Sequence, residues 1–321
     1  MAEPILNVKK DTKGYTAAVP SIEILSYVYE KNLPGSSQTF NDIILNLQDV
    51  TKKIFAKHKP KPKEPKSGAF NNCNGRWGEY VFGAYAWNYL VDVNLNNQNN
   101  DRYVYVKLPT NNSTTKKSIS NIWTSLLIES QRIILSGFEK DSNDLQVKEF
   151  GHKAFKLCSS NPDAVILKFE NEECKELGID PLKKLDSLEE GNIELIDSIF
   201  EKVRGAVSIE KNIQCFLSIK TSTRSDRRYQ FIHEGDDIKA MIMLLCTKLP
   251  LGVGSIPKFC QKRFYAFSLD RVSEADMDTM ETAMTACISS PLIDPIWCVD
   301  KLFECLKPDD VVKALESILQ S

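Results

Sequence analysis

Apolar residues recur along this chain in two rhythms, one of three to four residues and one of short unbroken runs. Helical spacing is predicted over residues 20–32 (PSIEILSYVYEKN) and 39–57 (TFNDIILNLQDVTKKIFAK), with Leu33-Pro34-Gly35 breaking between them and Thr39 placed to cap the second. A third helix is predicted over residues 76–91, on Trp77, Tyr80, Val81, Ala84 and Trp87; residues 67–75 form its turn-rich entry and Glu79 falls in its first turn. Residues 118–135 predict a long helix whose core face carries Ile119, Ile122, Trp123, Leu126, Leu127 and Ile133. Further helical tendency runs over 183–203, from about Tyr229 to Leu245, over 274–288 and over 309–319. Strand-length runs lie at 103–108 (ended by Pro109), at the close of 155–169, at 216–220 and at 264–269. Strands interleaved with helices predict an α/β fold.

The basic, proline-punctuated segment 58–66 (HKPKPKEPK) reads as a linker. It divides a helical N-terminal subdomain, residues 1–66, from a main domain, residues 67–321. Composition changes the picture little: 42% hydrophobic and 26% charged residues exclude a disordered chain. No apolar run is long enough for a membrane span and no signal-peptide core opens the chain, so a cytoplasmic location is expected. Nine cysteines without a CxxC pair argue for reduced thiols, and three histidines argue against a histidine-rich zinc site. A net charge of −2 gives no global sign of a nucleic-acid partner, yet Lys220 to Arg228 carries four positive charges against one negative.

That local charge sits in the most informative stretch, FLSIKTSTRSDRRYQFIHEGDDIKAM, residues 216–241. Lys220 ends a strand, Arg224, Asp226, Arg227 and Arg228 follow in a polar turn, and Glu234 falls on the next helix. Asp163 stands immediately before another strand. Phosphodiester hydrolysis needs acidic ligands for a divalent metal, a group to handle the attacking water, and positive charge for the phosphate in the transition state. Asp163, Lys220 and Glu234 supply these if their strands are neighbours, and carboxylate ligands suit Mg²⁺ better than zinc. Taken singly, each residue also has a plain structural reading: Asn161-Pro162-Asp163 as turn chemistry, Glu79 as a helix-dipole partner, the arginines as a solvated turn.

In this order and spacing, the pieces carry a resemblance. Asn161-Pro162-Asp163, Ser218-Ile219-Lys220-Thr221-Ser222, Arg224-Ser225-Asp226-Arg227-Arg228 with Gln230, and His233-Glu234-Gly235 resemble the signature of the CCGG group of type II restriction endonucleases, in the PD-(D/E)xK nuclease superfamily. Ser67-Gly68-Ala69-Phe70-Asn71 with Gly75, Trp77 and Glu79 is similar to that group's N-terminal active-site helix. The resemblance implies a central mixed β-sheet flanked by helices. The superfamily's usual pattern has an acid two residues before the lysine, where this chain has Ser218; the CCGG group places that acid on the following helix, and Glu234, fourteen positions after Lys220, matches it. By resemblance Asp163 and Glu234 are metal ligands and Glu79 is an additional acid near the metal. Lys220 orients or deprotonates the water and stabilises the leaving phosphate, and Ser218 has a supporting role.

The recognition chemistry stands on its own footing. Arginine donates two hydrogen bonds to O6 and N7 of guanine, and aspartate accepts from N4 of cytosine. Arg224 and Arg227 with Asp226 between them are therefore expected to read two adjacent G·C pairs, doubled to a palindrome by a two-fold homodimer, with a tetramer of two dimers left open. Asn72 and Lys248 occupy the places from which residues of relatives approach the flanking pair, and Lys248 stands where close relatives tend to have arginine. The CCGG palindrome, such as TCCGGA or RCCGGY, therefore leaves its flanking pair open between purine/pyrimidine, a fixed T/A pair and another choice, with an interrupted core also open. The expected activity is Mg²⁺-dependent cleavage of double-stranded DNA; the resemblance implies that it falls before the first C, leaving 5′-CCGG overhangs, with a cognate DNA methyltransferase in the host. Two rivals remain: a structure-specific repair nuclease of the same superfamily, and a DNA-binding protein without catalysis.

Overall fold

The computed structural model describes residues 3–12, 14–109, 122–137, 161–222, 225–248, 263–284 and 296–320, without the side chains of 225, 226, 247 and 248. The chain opens with a hairpin of β1 (Val8–Asp11) and β2 (Gly14–Ala17), then α1 (Ser21–Val28), α2 (Phe40–Lys57) and α3 (Ser67–Asn96). After β3 (Asp101–Lys107) come β4 (Ala164–Glu170), α4 (Asn171–Glu176), α5 (Glu190–Val203) and β5 (Ile213–Lys220). Then follow α6 (Ser225–Lys248), β6 (Phe264–Ser268), α7 (Glu274–Glu281), β7 (Lys301–Glu304) and α8 (Pro308–Leu319). Strands β3 to β7 form one sheet in sequence order; β3, β4 and β5 are antiparallel neighbours, while β5, β6 and β7 run parallel. The α/β class and the mixed sheet are as expected.

Strand periodicity explains the layering. Side chains alternate across a strand, so Leu217 and Ile219 of β5 face one side of the sheet while Phe216, Ser218 and Lys220 face the other. On the first side α3 packs closely: Phe82 meets Phe267 of β6 edge-on at 4.9 Å, and Gly83 lies against the Tyr105 ring of β3. On the second side Trp123 meets Phe216 edge-on at 5.1 Å, and α6 covers the carboxyl end of β5 and part of β6. The helices α1 and α2 rest on α3, and Ile24, Leu47 and Phe55 join the same buried cluster as the sheet. Thr39 caps α2 as expected, accepting from the Asp42 N–H.

Helices expected over 20–32 and 274–288 stop at Val28 and Glu281, and four larger differences from the sequence reading arise where tertiary contacts decide. The turn-rich entry 67–75 is the first part of α3, since Phe70, Cys73 and Trp77 keep the buried spacing of the rest of the helix. Glu79 is therefore mid-helix. The expected helix 118–135, of which 118–121 lie outside the described residues, is a short 3₁₀ turn (Ile122–Leu126), then a bridge of Leu127 to Val207, then a helix over 129–137. Backbone pairing of Ile128 and Leu126 with Val207 takes the groups that a continuous helix would have used. Residues 183–189 are irregular because the Asn88 amide takes both backbone groups of Leu185 and the Trp87 indole N–H takes the Lys183 carbonyl. Helix α6 starts at Ser225, so Arg227 and Arg228 are helical rather than in a turn. The hairpin β1–β2, α4 and β7 had no clear signal in the apolar pattern.

One buried ion pair fixes α6 to the sheet. Lys239, fully buried, donates from Nζ to Asp300 Oδ1 at 2.7 Å and to the Trp297 carbonyl; Asp300 Oδ2 in turn accepts the Arg263 and Phe264 N–H groups at the start of β6. Breaking such a pair from one side leaves a buried charge uncompensated. Lys239→Met is expected to lower unfolding free energy by about 3–5 kcal/mol, read as a shifted urea midpoint at unchanged slope. Lys313→Met, which removes only an exposed pair with Asp310 on α8, should leave the midpoint in place.

Candidate active site

The antiparallel pairing of β4 and β5 builds the site. The start of one strand must lie beside the end of the other, so Asp163, just before β4, meets Lys220, the last residue of β5. The Asp163 N–H bonds the Leu217 carbonyl, and Asp163 Oδ2 accepts the Ile219 N–H at 2.6 Å and the Lys220 ammonium at 3.0 Å. Lys220 is only 8% exposed, and its Nζ also lies 3.5 Å from Glu234 Oε1. Burial pulls the lysine pKa down, but Asp163 and Glu234 more than offset this and hold the ammonium charged, with its pKa raised.

Glu234 comes from α6, across the second face of the sheet. It is 2% exposed; Oε2 accepts from the Ser218 hydroxyl, and Oε1 accepts from the Gln230 amide at 2.7 Å. Burial first, and then the Asp163 charge, raise its pKa, against Lys220, Ser218 and Gln230, which favour the ionised form. Two carboxylates share one lysine here, so neither is fully compensated.

Helix α3 brings the third carboxylate. Glu79 pairs at 3.8 Å with Lys107, the buried last residue of β3, whose ammonium also lies over the Tyr80 ring. Burial, and next the Asp163 charge, push the Glu79 carboxyl up to about 7, against the pull of Lys107, Lys220 and Arg76.

The glycines beside two of these acids set how closely the helices approach. A Cβ on Gly78 would sit 2.6 Å from Thr221 Cγ2, and one on Gly235 would sit 2.0 Å from the Cys298 carbonyl oxygen. Only glycine lets α3 and α6 lie that near the strand ends.

Above these groups opens a polar cavity of about 490 Å³, with Glu79, Asp163, Lys220, Arg227 and Gln230 among its walls. Asn72 and Arg76, exposed on α3, line it as well. Glu234 is not at the wall but lies behind it. The structure thus gathers Asp163, Lys220, Glu234, Glu79, Ser218, Asn72 and Arg227 from the candidates named above. Arg224 lies outside the described residues, and Asp226 and Lys248 are on α6 with side chains outside the description. Arg228 turns away and pairs with Asp276 of α7. Sequence reasoning did not single out Lys107, which ends its strand as Lys220 ends β5, nor Arg76 one turn before Glu79.

Comparison with known proteins then identifies the lineage. A family model described as Cfr10I/Bse634I restriction endonuclease matches residues 21–321. The chain belongs to that family. It is 29% identical over 316 residues to the type II restriction enzyme Cfr10I of Citrobacter freundii, covering 96% of this chain and 93% of that protein. The solved Bse634I restriction endonuclease superposes with a TM-score of 0.77 at 25% identity, over 98% of this chain and 97% of that one. A crystal structure of the type IIF restriction endonuclease Bse634I with cognate DNA has the same fold, with a TM-score of 0.78 at 23% identity over 98% of each chain. This member of the Cfr10I/Bse634I family is a type II restriction enzyme, a site-specific deoxyribonuclease that acts on DNA. No helix among the described residues is long and apolar enough to cross a membrane.

The raised Glu79 pKa gives a stability test of the geometry. An acid whose folded pKa is raised penalises folding once it must ionise, so the penalty is absent below the unfolded value of 4.5, grows as pH rises, and is complete above about 7. Glu79→Gln removes the penalty. In metal-free buffer the variant should match wild type at pH 4.5 and be more stable at pH 8 by up to about 3 kcal/mol, compared by thermal unfolding at the two pH values.

Proposed function

We propose that this enzyme cuts double-stranded DNA at a palindrome with a CCGG core, such as TCCGGA or RCCGGY, using Mg²⁺. Cleavage falls before the first C and leaves 5′-CCGG overhangs with 5′-phosphate and 3′-hydroxyl ends. The observation that carries this reading is the meeting of Asp163, Lys220 and Glu234 at one pocket whose wall holds Arg227, on the same helix as Glu234. A structure-specific nuclease has no need to tie a base-reading arginine to the catalytic acid, and a pure DNA binder has no need of the buried lysine shared by two carboxylates.

The donor set fits a hard divalent cation: Asp163, Glu234 and Glu79 all offer carboxylate oxygens, and burial raises the pKa of Glu79 and Glu234, which a bound cation would reverse. Asp163 and Glu234 are the proposed ligands and Glu79 the additional acid. Among the described residues no three His, Cys, Asp or Glu side chains converge at ligand spacing, so the two proposed ligands would be completed by water and phosphate oxygens. When bound, the cation supplies positive charge to the phosphate and acidifies water. Lys220, charged in this site, donates toward the attacking water and the phosphate oxygens. Ser218 and Gln230 hold the Glu234 carboxylate in place. Water attacks in line, so no covalent enzyme intermediate forms.

Arg227 with Arg224 and Asp226 reads the G·C pairs, Asn72 and Lys248 approach the flanking pair, and a homodimer places two such readers on the palindrome. Two dimers can pair into a tetramer that engages two sites. A matching methyltransferase protects host DNA.

Incubating the protein with long unmethylated DNA and Mg²⁺ and sequencing the fragment ends tests the site directly. Discrete ends sharing a CCGG core are expected, and ragged ends would favour the structure-specific rival. Lys220→Ala should lower the cleavage rate by about 10³-fold or more while leaving DNA binding intact in a mobility-shift assay. Arg227→Ala should cost about 1–3 kcal/mol of discrimination at one G·C pair, seen as a smaller affinity difference between matched and substituted duplexes. Equal weakening on every duplex would make that arginine a phosphate clamp.

A further inference from the structure

Arg227, Gln230 and Glu234 follow one another on α6 at spacings of three and four, which places them on one face of the helix. They are joined by hydrogen bonds. Arg227 Nη1 donates to Gln230 Oε1 at 3.0 Å, and Gln230 Nε2 donates to Glu234 Oε1 at 2.7 Å. Only one orientation of the amide satisfies both neighbours, because a guanidinium only donates and a carboxylate only accepts. The chain continues inward through Glu234 to the Ser218 hydroxyl and the Lys220 ammonium, and from Lys220 to Asp163. A single side chain thus links the wall of the pocket to an acid that is 2% exposed.

We propose that Gln230 is a positioning residue that couples base reading by Arg227 to the placement of Glu234, so that the chemical step itself depends on the correct base pair. This rests on the reading of Arg227 as a guanine contact. The guanidinium carries five N–H donors in a rigid fork, and a guanine edge takes two of them. One of the others holds the Gln230 oxygen. A guanine that fixes the fork therefore fixes the amide, and the amide fixes Oε1 of Glu234 against the pull of Lys220. Opposite a wrong base the two guanine contacts are lost and the fork is held less firmly. Gln230 then follows the wandering arginine, and Glu234 loses a directional donor. Misplacing a reacting group by about 1 Å can cost 10²-fold in rate.

The test uses two variants and two duplexes. Gln230→Met keeps length and removes both polar atoms; Gln230→Glu keeps the acceptor for Arg227 but turns a like charge toward Glu234. Single-turnover cleavage with Mg²⁺, and equilibrium binding with Ca²⁺ in its place, are measured on the cognate duplex and on one with a core G·C pair replaced. In wild type the replacement should lower both affinity and cleavage rate. In both variants the cognate rate should fall by about 10–100-fold, and the rate ratio between the two duplexes should contract by about tenfold or more while the affinity ratio persists. Ratios taken within one preparation do not depend on its folded fraction. Equal slowing on the two duplexes would reduce Gln230 to a mere support for Glu234, and an unchanged cognate rate would remove it from the reaction; either result overturns the proposal. An Arg227→Ala arm separates the premise: if that variant keeps wild-type affinity discrimination, the base-reading assignment fails whatever Gln230 does.

Discussion

The pocket depends on one ammonium group placed where water barely reaches. Lys220 ends a strand that is buried along almost its whole length, and burial by itself pulls its pKa down. Asp163 at 3.0 Å and Glu234 at 3.5 Å keep it charged. The arrangement is lopsided, since two carboxylates share one cation and a third, Glu79, stands close enough for its charge to be felt at Lys220. Negative charge left uncompensated beside an open polar cavity suits a divalent cation, and the same imbalance makes the metal-free site costly to keep ionised.

Bringing these groups together asks for close backbone approach from both sides of the sheet. On one side α3 carries Glu79 and needs Gly78 next to it, because Thr221 and Leu269 leave no room for a methyl group. On the other side α6 carries Glu234 and needs Gly235 next to it, because the Cys298 carbonyl lies in the way. The buried Lys239–Asp300 pair then pins α6 a little over one turn further along. The acid proposed to hold the metal and the arginine proposed to read a base are thereby borne by one helix with one fixed placement. A shift of α6 would disturb recognition and chemistry together.

Much of this was legible in the residues. Asp163 before an apolar run, Lys220 at the end of another and Glu234 at helical spacing were readable because strand and helix periods are local properties. Their convergence followed once the two strands were taken as neighbours. The start of α3 was not legible: Gly68, Asn71, Asn72 and Gly75 have turn chemistry, and what makes the segment helical is the burial of Phe70, Cys73 and Trp77 against elements distant in sequence. The break in the expected helix 118–135 likewise depends on pairing with Val207, some eighty residues on. Lys107 escaped notice for a related reason. A lysine closing a strand is ordinary until a neighbouring helix sets a carboxylate against it.

Ser218 looked at first like a defect in the pattern, since the superfamily's common arrangement has an acid two residues before the lysine. The geometry supplies the reason it is not. Residues two apart on a strand face the same side, so Ser218 points where Lys220 points, toward α6. A carboxylate arriving there from the helix finds a hydroxyl donor waiting on the strand, and Glu234 takes it. An acid at 218 would instead have met Glu234 as a like charge in a nearly dry place, at a cost far above that of exchanging one donor for another. The serine and the helix acid are therefore two halves of one solution. Moving the acid to the helix also sets it one turn from Gln230 and two from Arg227, joined by hydrogen bonds to the residue proposed to read a base.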